Sequence, residues 1–392
     1  MDLMKTTTLP TLFSRTSTGA IQEWTIVVDG YSFYVVCGQK DGQKVTSEPT
    51  ICEGKNLGRA NETSPMEQAQ SEAKSKWDKK ARMGYTPDIK LVDTCMTYVE
   101  PMTANKLLER IKKKKVDFKK GVLVQNKYNG HRCVATAEGM TVILKTRTGK
   151  LYFCVPHISE DLEKFFSKYP DAVLDGELFN NELRQKLNEI SKLLRKGEDA
   201  DATDLAKSKE LIRYYVYDGY GFSDDLGEES DYILRKEFID KALPKFCKHC
   251  LTVKTEWAYS MEEVDKIYFR YLADEQEGAI IRLPNSPYEH KRSNNLLKYK
   301  PQMDGEATIR KLHEGTGNWA GTAKTATLET KEGKIFDATF MGTWEQGEER
   351  LKNPKDWIDV EVTYIYNGLT GKAPFLPNYA RIDPDNCFQG EK

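Results

Sequence analysis

The sequence predicts a multidomain α/β and β chain, and three observations predict it. Residues 1–92 hold β-rich runs followed by one helical pattern. Residues 93–302 alternate β-rich and helical segments, the signature of a mixed α/β core. Residues 303–392 hold several short β-like runs with Gly-containing turns between them, which fits a small barrel. At 392 residues the chain is long enough for two or three domains, each with its own core.

The elements follow in order. Trp24–Val28 and Tyr31–Val36 are strand-like and are split by Asp29-Gly30, a hairpin signal; a second turn follows at Asp41-Gly42. Met66–Arg82 reads as a helix ending near Gly84-Tyr85. In the middle region Asn181–Lys196 reads as an amphipathic helix. Leu183, Leu187, Ile190 and Leu194 form its stripe, with Arg184, Lys186, Lys192, Arg195 and Lys196 around the rest. Gly197–Thr203 is acidic and loop-like. The barrel strands are expected at Ala307–Ile309, Ala326–Glu329, Phe336–Phe340 and Asp359–Tyr364.

Net charge is −1, so overall charge does not announce nucleic acid. Its placement is uneven. Lys106, Arg110, Lys112, Lys113, Lys114, Lys115, Lys119 and Lys120 are opposed only by Glu109 and Asp117, and Lys74, Lys76, Lys79, Lys80 and Arg82 form a second cluster. Such runs either neutralise phosphates or form a solvated face. No apolar stretch approaches bilayer-spanning length, and Met1–Lys5 lacks a signal-peptide core. The expectation is an intracellular, cytoplasmic protein with no membrane partner, whose eight cysteines stay reduced. Cys247-Lys248-His249-Cys250 has zinc-like local spacing but no second matching pair, which favours ordinary thiols.

The chemistry-bearing residues begin with Lys127, in Asn126-Lys127-Tyr128-Asn129-Gly130-His131-Arg132 after an apolar stretch. A lysine at a strand end, a Gly-containing turn and an arginine make a candidate nucleophile beside a fixed cation. There follow Thr146-Arg147-Thr148-Gly149, Leu174-Asp175-Gly176-Glu177, Val216-Tyr217-Asp218, Glu277-Gly278 with Arg282, and Leu297-Lys298-Tyr299-Lys300. Lys298 and Lys300 alternate along a predicted strand, so both face one side.

These six motifs, in this order over roughly residues 98–302, resemble those of the covalent nucleotidyltransferases: ATP-dependent DNA ligases, RNA ligases and mRNA capping enzymes. The resemblance implies ATP as substrate and Mg²⁺, with Mn²⁺ able to substitute. It makes Lys127 the residue that forms lysyl-AMP. It places Arg132 near the ribose and the 3′-OH side of a nick, Arg147 on the donor phosphate, and Glu177 on a ribose hydroxyl and a metal. Tyr217 would stack on adenine, Glu277 would hold the metal, and Lys298 and Lys300 would reach the AMP phosphate. Asn126 and Arg282 complete the nucleotide set. Arg132, Lys298, Lys300 and the metal are expected to give Lys127 a cationic surrounding, as an amine nucleophile needs. Arg292, Lys112, Lys113, Lys114, Lys186 and Arg195 are candidate nucleic-acid contacts.

Val99-Glu100-Pro101-Met102 resembles the start of a ligase catalytic core, and Asp304–Ile309 resembles the start of the OB domain of phage-type DNA ligases. Arg381-Ile382-Asp383 resembles the terminal motif of that domain, where Arg381 and Asp383 would orient pyrophosphate; a structural reading stands beside it. Residues 1–92 are similar to WGR domains of DNA-end-binding proteins, although Cys37-Gly38-Gln39 occupies the place of the literal Trp-Gly-Arg. Asn129 stands where the first motif carries Asp, and first motifs vary more among RNA ligases. The expectation is therefore an ATP-dependent DNA ligase, in a virus- or phage-type organisation, acting as a monomer that clamps nicked duplex DNA in replication or repair. An RNA ligase, a GTP-using capping enzyme and a non-catalytic nucleic-acid-binding protein remain the alternatives.

Overall fold

The computed structural model describes residues 6–16, 18–56, 58, 60–93, 98–300, 303–366 and 380–387. The chain divides into two compact units, Val99–Pro301 and the pair of segments Met1–Tyr98 and Gln302–Lys392.

In the first segment, β1 (Thr7–Thr8), β2 (Leu12–Arg15), β3 (Ile21–Asp29), β4 (Ser32–Gln39), β5 (Lys44–Thr46) and β6 (Thr50–Ile51) form one antiparallel sheet, followed by helix α1 (Pro65–Arg82). Alternation along β3 buries Trp24, Ile26 and Val28, which pack with Phe33, Val35 and the Ala69 and Ala73 face of α1. Ser64 and Glu67 form a capping box that starts α1, and Lys79, Lys80 and Arg82 sit favourably at its C-terminal end.

Val99–Pro301 contains β7 (Thr103–Lys106), α2 (Leu107–Lys112), β8 (Val122–Asn126), β9 (His131–Glu138), β10 (Thr141–Thr146), α3 (Pro156–Lys168) and β11 (Val173–Phe179). It continues with α4 (Leu187–Leu194), α5 (Ala202–Leu211), β12 (Arg213–Tyr220), α6 (Tyr232–Ala242), β13 (Cys250–Thr252), β14 (Thr255–Ala258), α7 (Met261–Ala273), β15 (Ala279–Arg282) and β16 (Arg292–Tyr299). Two five-stranded sheets result, ordered β10-β9-β11-β12-β13 and β14-β8-β15-β16-β7. Ile158, Leu162 and Phe165 of α3 cover the first sheet; Val264, Ile267 and Tyr268 of α7 cover the second. Met102, Val134, Val173, Tyr220, Tyr288 and Leu296 form an apolar cluster joining residues of both sheets.

After it come β17 (Met303–Glu314), β18 (Ala323–Glu329), β19 (Ile335–Phe340), α8 (Trp344–Lys352), β20 (Glu361–Tyr366) and β21 (Arg381–Cys387). The strands close as β17-β18-β19-β21-β20 around Ile309, Leu328, Phe340, Val362 and Ile382, the expected barrel. Closure leaves no sheet edge exposed.

Two local expectations are corrected, and one helix was not foreseen. The helix foreseen over 181–196 forms only at Leu187–Leu194, because Asn180 Oδ1 accepts from Leu183 N (2.8 Å) and holds the preceding residues in a turn. The acidic stretch 197–203 already contains the start of α5, capped reciprocally by Asp201 and Asp204. Helix α8, within the barrel segment, starts from a Thr343/Gln346 capping box that the strand pattern hid. Arg381 pairs with Thr339 and Ile365 in the barrel, its side chain exposed; Pro377–Tyr379 and the side chain of Asp383 lie outside the described residues. Among the described residues no helix is long and apolar enough to cross a membrane.

Candidate active site

The site is built where β8 hands the chain to β9, that is, where one sheet passes to the other. Val122, Leu123 and Val124 bury β8 completely, and the strand ends at Asn126. Lys127 follows, its N–H donating to Gly278 O (3.0 Å). Gly278 has φ +141°, and a Cβ there would lie 2.4 Å from Tyr299 O. Only glycine fits this close approach, which sets Glu277 beside Lys127.

One oxygen of Glu277 bonds Lys127 Nζ and the other bonds Lys300 Nζ. Burial works to raise the Glu277 carboxyl, but the charges of Lys127 and Lys300 outweigh it and hold the group below the usual range. Burial lowers the Lys300 ammonium and Lys127 adds to that effect, while Glu277 opposes it. Lys298 is lowered by burial and then by Lys300, Arg292, Lys127 and Lys106. Between the two lysines Tyr299 turns the other way, stacking on Tyr268 with ring centroids 4.0 Å apart and donating to Asp265 Oδ1 (2.9 Å). The expected alternation is therefore present, although Lys300 lies just beyond the end of β16.

Of the cations expected around Lys127, Lys298 and Lys300 are close enough to feel its charge, but its direct partner is the Glu277 carboxylate. Arg132 is committed elsewhere. Its Nε donates to Asp175 Oδ1 (2.6 Å), its Nη2 bonds Asp175 Oδ2, and Nη2 also reaches Met102 O (2.8 Å). Tyr288 OH donates to the same Asp175 Oδ2 (2.7 Å). A second network centres on Asp218. Arg235 Nε donates to its Oδ1 (3.1 Å) and Arg282 Nη1 to its Oδ2 (2.7 Å). Arg282 Nε donates to Gln125 Oε1 (3.0 Å), and Gln125 Nε2 donates to Tyr232 OH (2.8 Å). Burial alone would raise the Asp218 carboxyl, but Arg235 and Arg282 bring it below the usual range.

Tyr217 stands between these networks. The guanidinium carbons of Arg132 and Arg282 lie 5.2 and 5.4 Å from its ring centroid, within cation–π range. Burial pushes its hydroxyl far up, so the ring stays neutral. Glu177 pairs across β9/β11 with Arg132. Burial raises its carboxyl to about 7; Lys127 and Arg132 oppose the shift, and Glu277 and Asp175 add to it.

A cleft of about 680 Å³ gathers Asn126, Lys127, Arg132, Arg147, Glu177, Tyr217, Arg282, Arg292, Lys298 and Lys300 on one surface, with Arg195 also on its wall. Asn126 Oδ1 is buried there with no hydrogen-bond partner among the described residues, an acceptor of the kind a ligand amine satisfies. Glu277 sits against the two lysines rather than on the lining. Lys112, Lys113, Lys114 and Lys186 are exposed and do not line the cleft. Arg282, expected as a nucleotide contact, is almost wholly buried; it is bonded to Asp218 and Gln125 and lies beside the Tyr217 ring. Sequence reasoning missed Gln125, Asp175, Asp218, Arg235 and Tyr288, the groups that hold the cationic side chains in place. His131 was also missed; its Nε2 lies 2.8 Å from Ser191 Oγ at the cleft wall.

Glu177 on the cleft lining and Glu277 beside Lys127 and Lys300 are hard oxygen donors, and Mg²⁺ is commonly held by one or two carboxylates plus waters and substrate phosphates. The donor set therefore fits such an ion. His249, from the zinc-like stretch, instead pairs with Asp161 (3.0 Å), and among the described residues no group of three metal-binding side chains occurs.

Two sheets enclosing a cleft with a lysine at its floor, followed by a closed five-stranded barrel, define a nucleotidyltransferase core joined to an OB-type domain. Residues 101–300 match the family described as ATP dependent DNA ligase domain, and the chain belongs to that family. A DNA ligase of African swine fever virus (isolate Tick/South Africa/Pretoriuskop Pr4/1996) is 30% identical over 283 residues, covering 69% of this chain and 62% of its own length. A DNA ligase of Haemophilus influenzae is 29% identical over 223 residues, covering 54% of this chain and 72% of its own. The chain thus spans somewhat less than two thirds of the viral relatives it matches. A solved structure from a study of DNA binding with a minimal scaffold in Lig E DNA ligases superposes with a TM-score of 0.54 at 18% identity. It covers 73% of this chain and 98% of that one. Another, named Pmar-Lig_PreS3, gives a TM-score of 0.61 at 18% identity over 75% and 69% of the two chains. Both show a shared fold. The family match begins at residue 101 and carries no information on the WGR-like reading of the N-terminal sheet.

Proposed function

We propose that this chain is an ATP-dependent DNA ligase that seals 5′-phosphate/3′-OH nicks in duplex DNA. The observation that carries the reading is Lys127 at the cleft floor, bound through Glu277 to Lys300 and flanked by Glu177 and Lys298. Lys127 Nζ, having lost its proton, attacks the α-phosphorus of ATP; the N–P bond forms, the bond to pyrophosphate breaks, and pyrophosphate leaves. The 5′-phosphate oxygen of the nick then displaces Lys127 from AMP, and the lysine nitrogen regains a proton. The 3′-hydroxyl finally attacks the adenylated 5′-phosphate, loses its proton, and AMP leaves with the bonding pair.

Each group has a task in this scheme. Tyr217 supplies a flat face for adenine, held in place beside Arg132 and Arg282. Asn126 Oδ1 accepts from the base or ribose, and ionised Glu177 accepts from a ribose hydroxyl. Arg147 meets the phosphate at the cleft mouth. Lys298 and Lys300 stabilise the charge that develops on the transferring phosphate. A divalent ion held by Glu177 and Glu277 would add further charge stabilisation there. Arg292 and Arg195, on the cleft wall, and Lys112, Lys113, Lys114 and Lys186, outside it, are assigned to polynucleotide phosphates. The N-terminal module is assigned the same task. Removing residues 1–92 weakens nick binding and flattens its salt dependence, whereas an unchanged salt slope gives the module another partner.

The test is a sealing panel with ATP and Mg²⁺. One duplex sequence carries a single nick with DNA or RNA on the 3′-OH side, the 5′-phosphate side and the template, with Lys127→Ala as control. Sealing of the all-DNA nick supports the proposal. Sealing only beside RNA makes the chain an RNA-repair ligase.

A further inference from the structure

A second basic surface lies away from the cleft, at the free edge of the other end of β8. Edge strand β14 pairs Trp257 with Leu123 and Ala258 with Val122. Leu123 is four residues before Lys127, about 13 Å along an extended chain. Trp257 and Tyr259 leave this edge with their rings nearly parallel, at 10° and 5.9 Å between centroids. They are 44% and 55% exposed, which is unusual for two adjacent large aromatics that could have packed inward.

Gly121 explains how they lie. It has φ +77°, and a Cβ there would come within 2.8 Å of Trp257 Cζ3 and 2.9 Å of Tyr259 Cε1. Both rings thus abut a backbone position that tolerates no side chain, which fixes them while both side chains stay exposed. The residues immediately before this glycine are Lys119 and Lys120, in the short turn Phe118–Lys120. Lys112, Lys113, Lys114 and Lys115 precede them, and all six lysines are exposed. None of the six makes an ion pair among the described residues. The nearby acids are engaged: Asp117 accepts from Lys119 N (3.1 Å), Glu256 pairs with Arg270 (2.6 Å), and Glu263 accepts from Tyr259 N (2.7 Å).

We propose that Trp257, Tyr259, Lys119 and Lys120 form an accessory site for an unpaired polynucleotide strand. Free aromatic faces stack on bases irrespective of sequence, and flanking lysines neutralise the phosphates between them. A duplex presents phosphates but keeps its internal base faces stacked, and an acidic peptide does not regularly alternate flat rings with charge, so neither engages both halves of the surface as an unpaired strand does. The proposal goes beyond the ligase reading and borrows from it only the class of ligand; its test reads binding and not sealing.

The test is fluorescence anisotropy of the full chain with labelled oligothymidylate and with a blunt duplex of equal length. Trp257→Ala/Tyr259→Ala and Lys119→Glu/Lys120→Glu are compared with the natural chain, and circular dichroism melting confirms that each variant is folded. Each pair lowers oligothymidylate affinity about tenfold, from loss of one to two stacked bases or of their phosphate contacts, and changes duplex affinity much less. Unchanged oligothymidylate affinity in both variants overturns the proposal. So does a loss confined to the lysine variant and equal on both ligands, which would make the surface a plain phosphate face.

Discussion

Two sets of charges stand a few residues apart in this molecule, and they are built differently. Behind the cleft, Asp175 and Asp218 are fully buried, and every oxygen they carry is bonded to an arginine, a tyrosine or a backbone N–H. In front, Lys127, Lys300 and Glu277 form a chain of ion pairs that is half-buried and open to the cleft. Buried pairs of the first kind hold geometry, because breaking one strands a charge in a dry place. Pairs of the second kind are exchangeable, because water or a ligand can take over either partner. The cleft thus separates charge used for position from charge used for reaction.

Replacing Lys127 tests the reactive set most severely. Lys127→Arg keeps a cation opposite Glu277 but removes the amine nucleophile. Transfer of label from α-labelled ATP to the protein is expected to disappear, while the unfolding midpoint stays close to that of the natural chain. Retained labelling would move the nucleophile elsewhere and leave Lys127 a positioning charge like Arg235.

Asp218→Ala tests the positioning set. It leaves Arg235 and Arg282 buried without their shared partner and is expected to destabilise the protein by about 3–5 kcal/mol, read from denaturant unfolding. Because Arg282 also lies beside Tyr217, ATP affinity should fall in whatever fraction remains folded. A loss below about 1 kcal/mol would mean that the network is wet and exchangeable, like the front of the cleft.

The two sets also differ in how readily the sequence showed them. Lys127, Arg132, Glu177, Tyr217, Lys298 and Lys300 stood out because reactive residues recur as short ordered motifs, and the structure gathers them on one cleft. Asp175 and Asp218 lay inside quoted motifs without being singled out. Arg235 and Tyr288 belong to no motif at all, since a buried arginine is recognisable only once its partner, 17 residues away in sequence, is known. The same logic governs the fold. Alternation along β3 and turn signals at Asp29-Gly30 are local and legible. The helices α5 and α8 were missed because capping boxes in polar stretches resemble loops when no apolar stripe accompanies them.

Lys298→Ala sharpens the contrast from the reactive side. Its amine lines the cleft, and burial followed by the neighbouring cations Lys300, Arg292, Lys127 and Lys106 lowers it. Its removal is expected to slow AMP capture about 10²–10³-fold, the usual cost of losing one preorganised group at a developing charge, with little change in stability. Rapid-quench measurement of the capture step checks this; a stability loss like that of Asp218→Ala would assign Lys298 to the positioning set.

Glu177 lies on the border between the two sets, so it gives the smallest and most discriminating effect. Its folded pKa of about 7 lies above the ordinary 4.5, chiefly from burial. The folded state therefore holds a proton more tightly than the unfolded chain. The associated stability is fully present below the ordinary value and is lost as pH rises through about 7. Glu177→Gln removes this dependence. Discounted for the solvent that reaches the open cleft, the variant should gain on the order of 1–2 kcal/mol over the natural chain at pH 8 relative to pH 5. Thermal melts of both proteins at the two pH values measure it. Parallel melting curves would place Glu177 in free contact with water, and its carboxylate would then belong wholly with the exchangeable charges of the cleft.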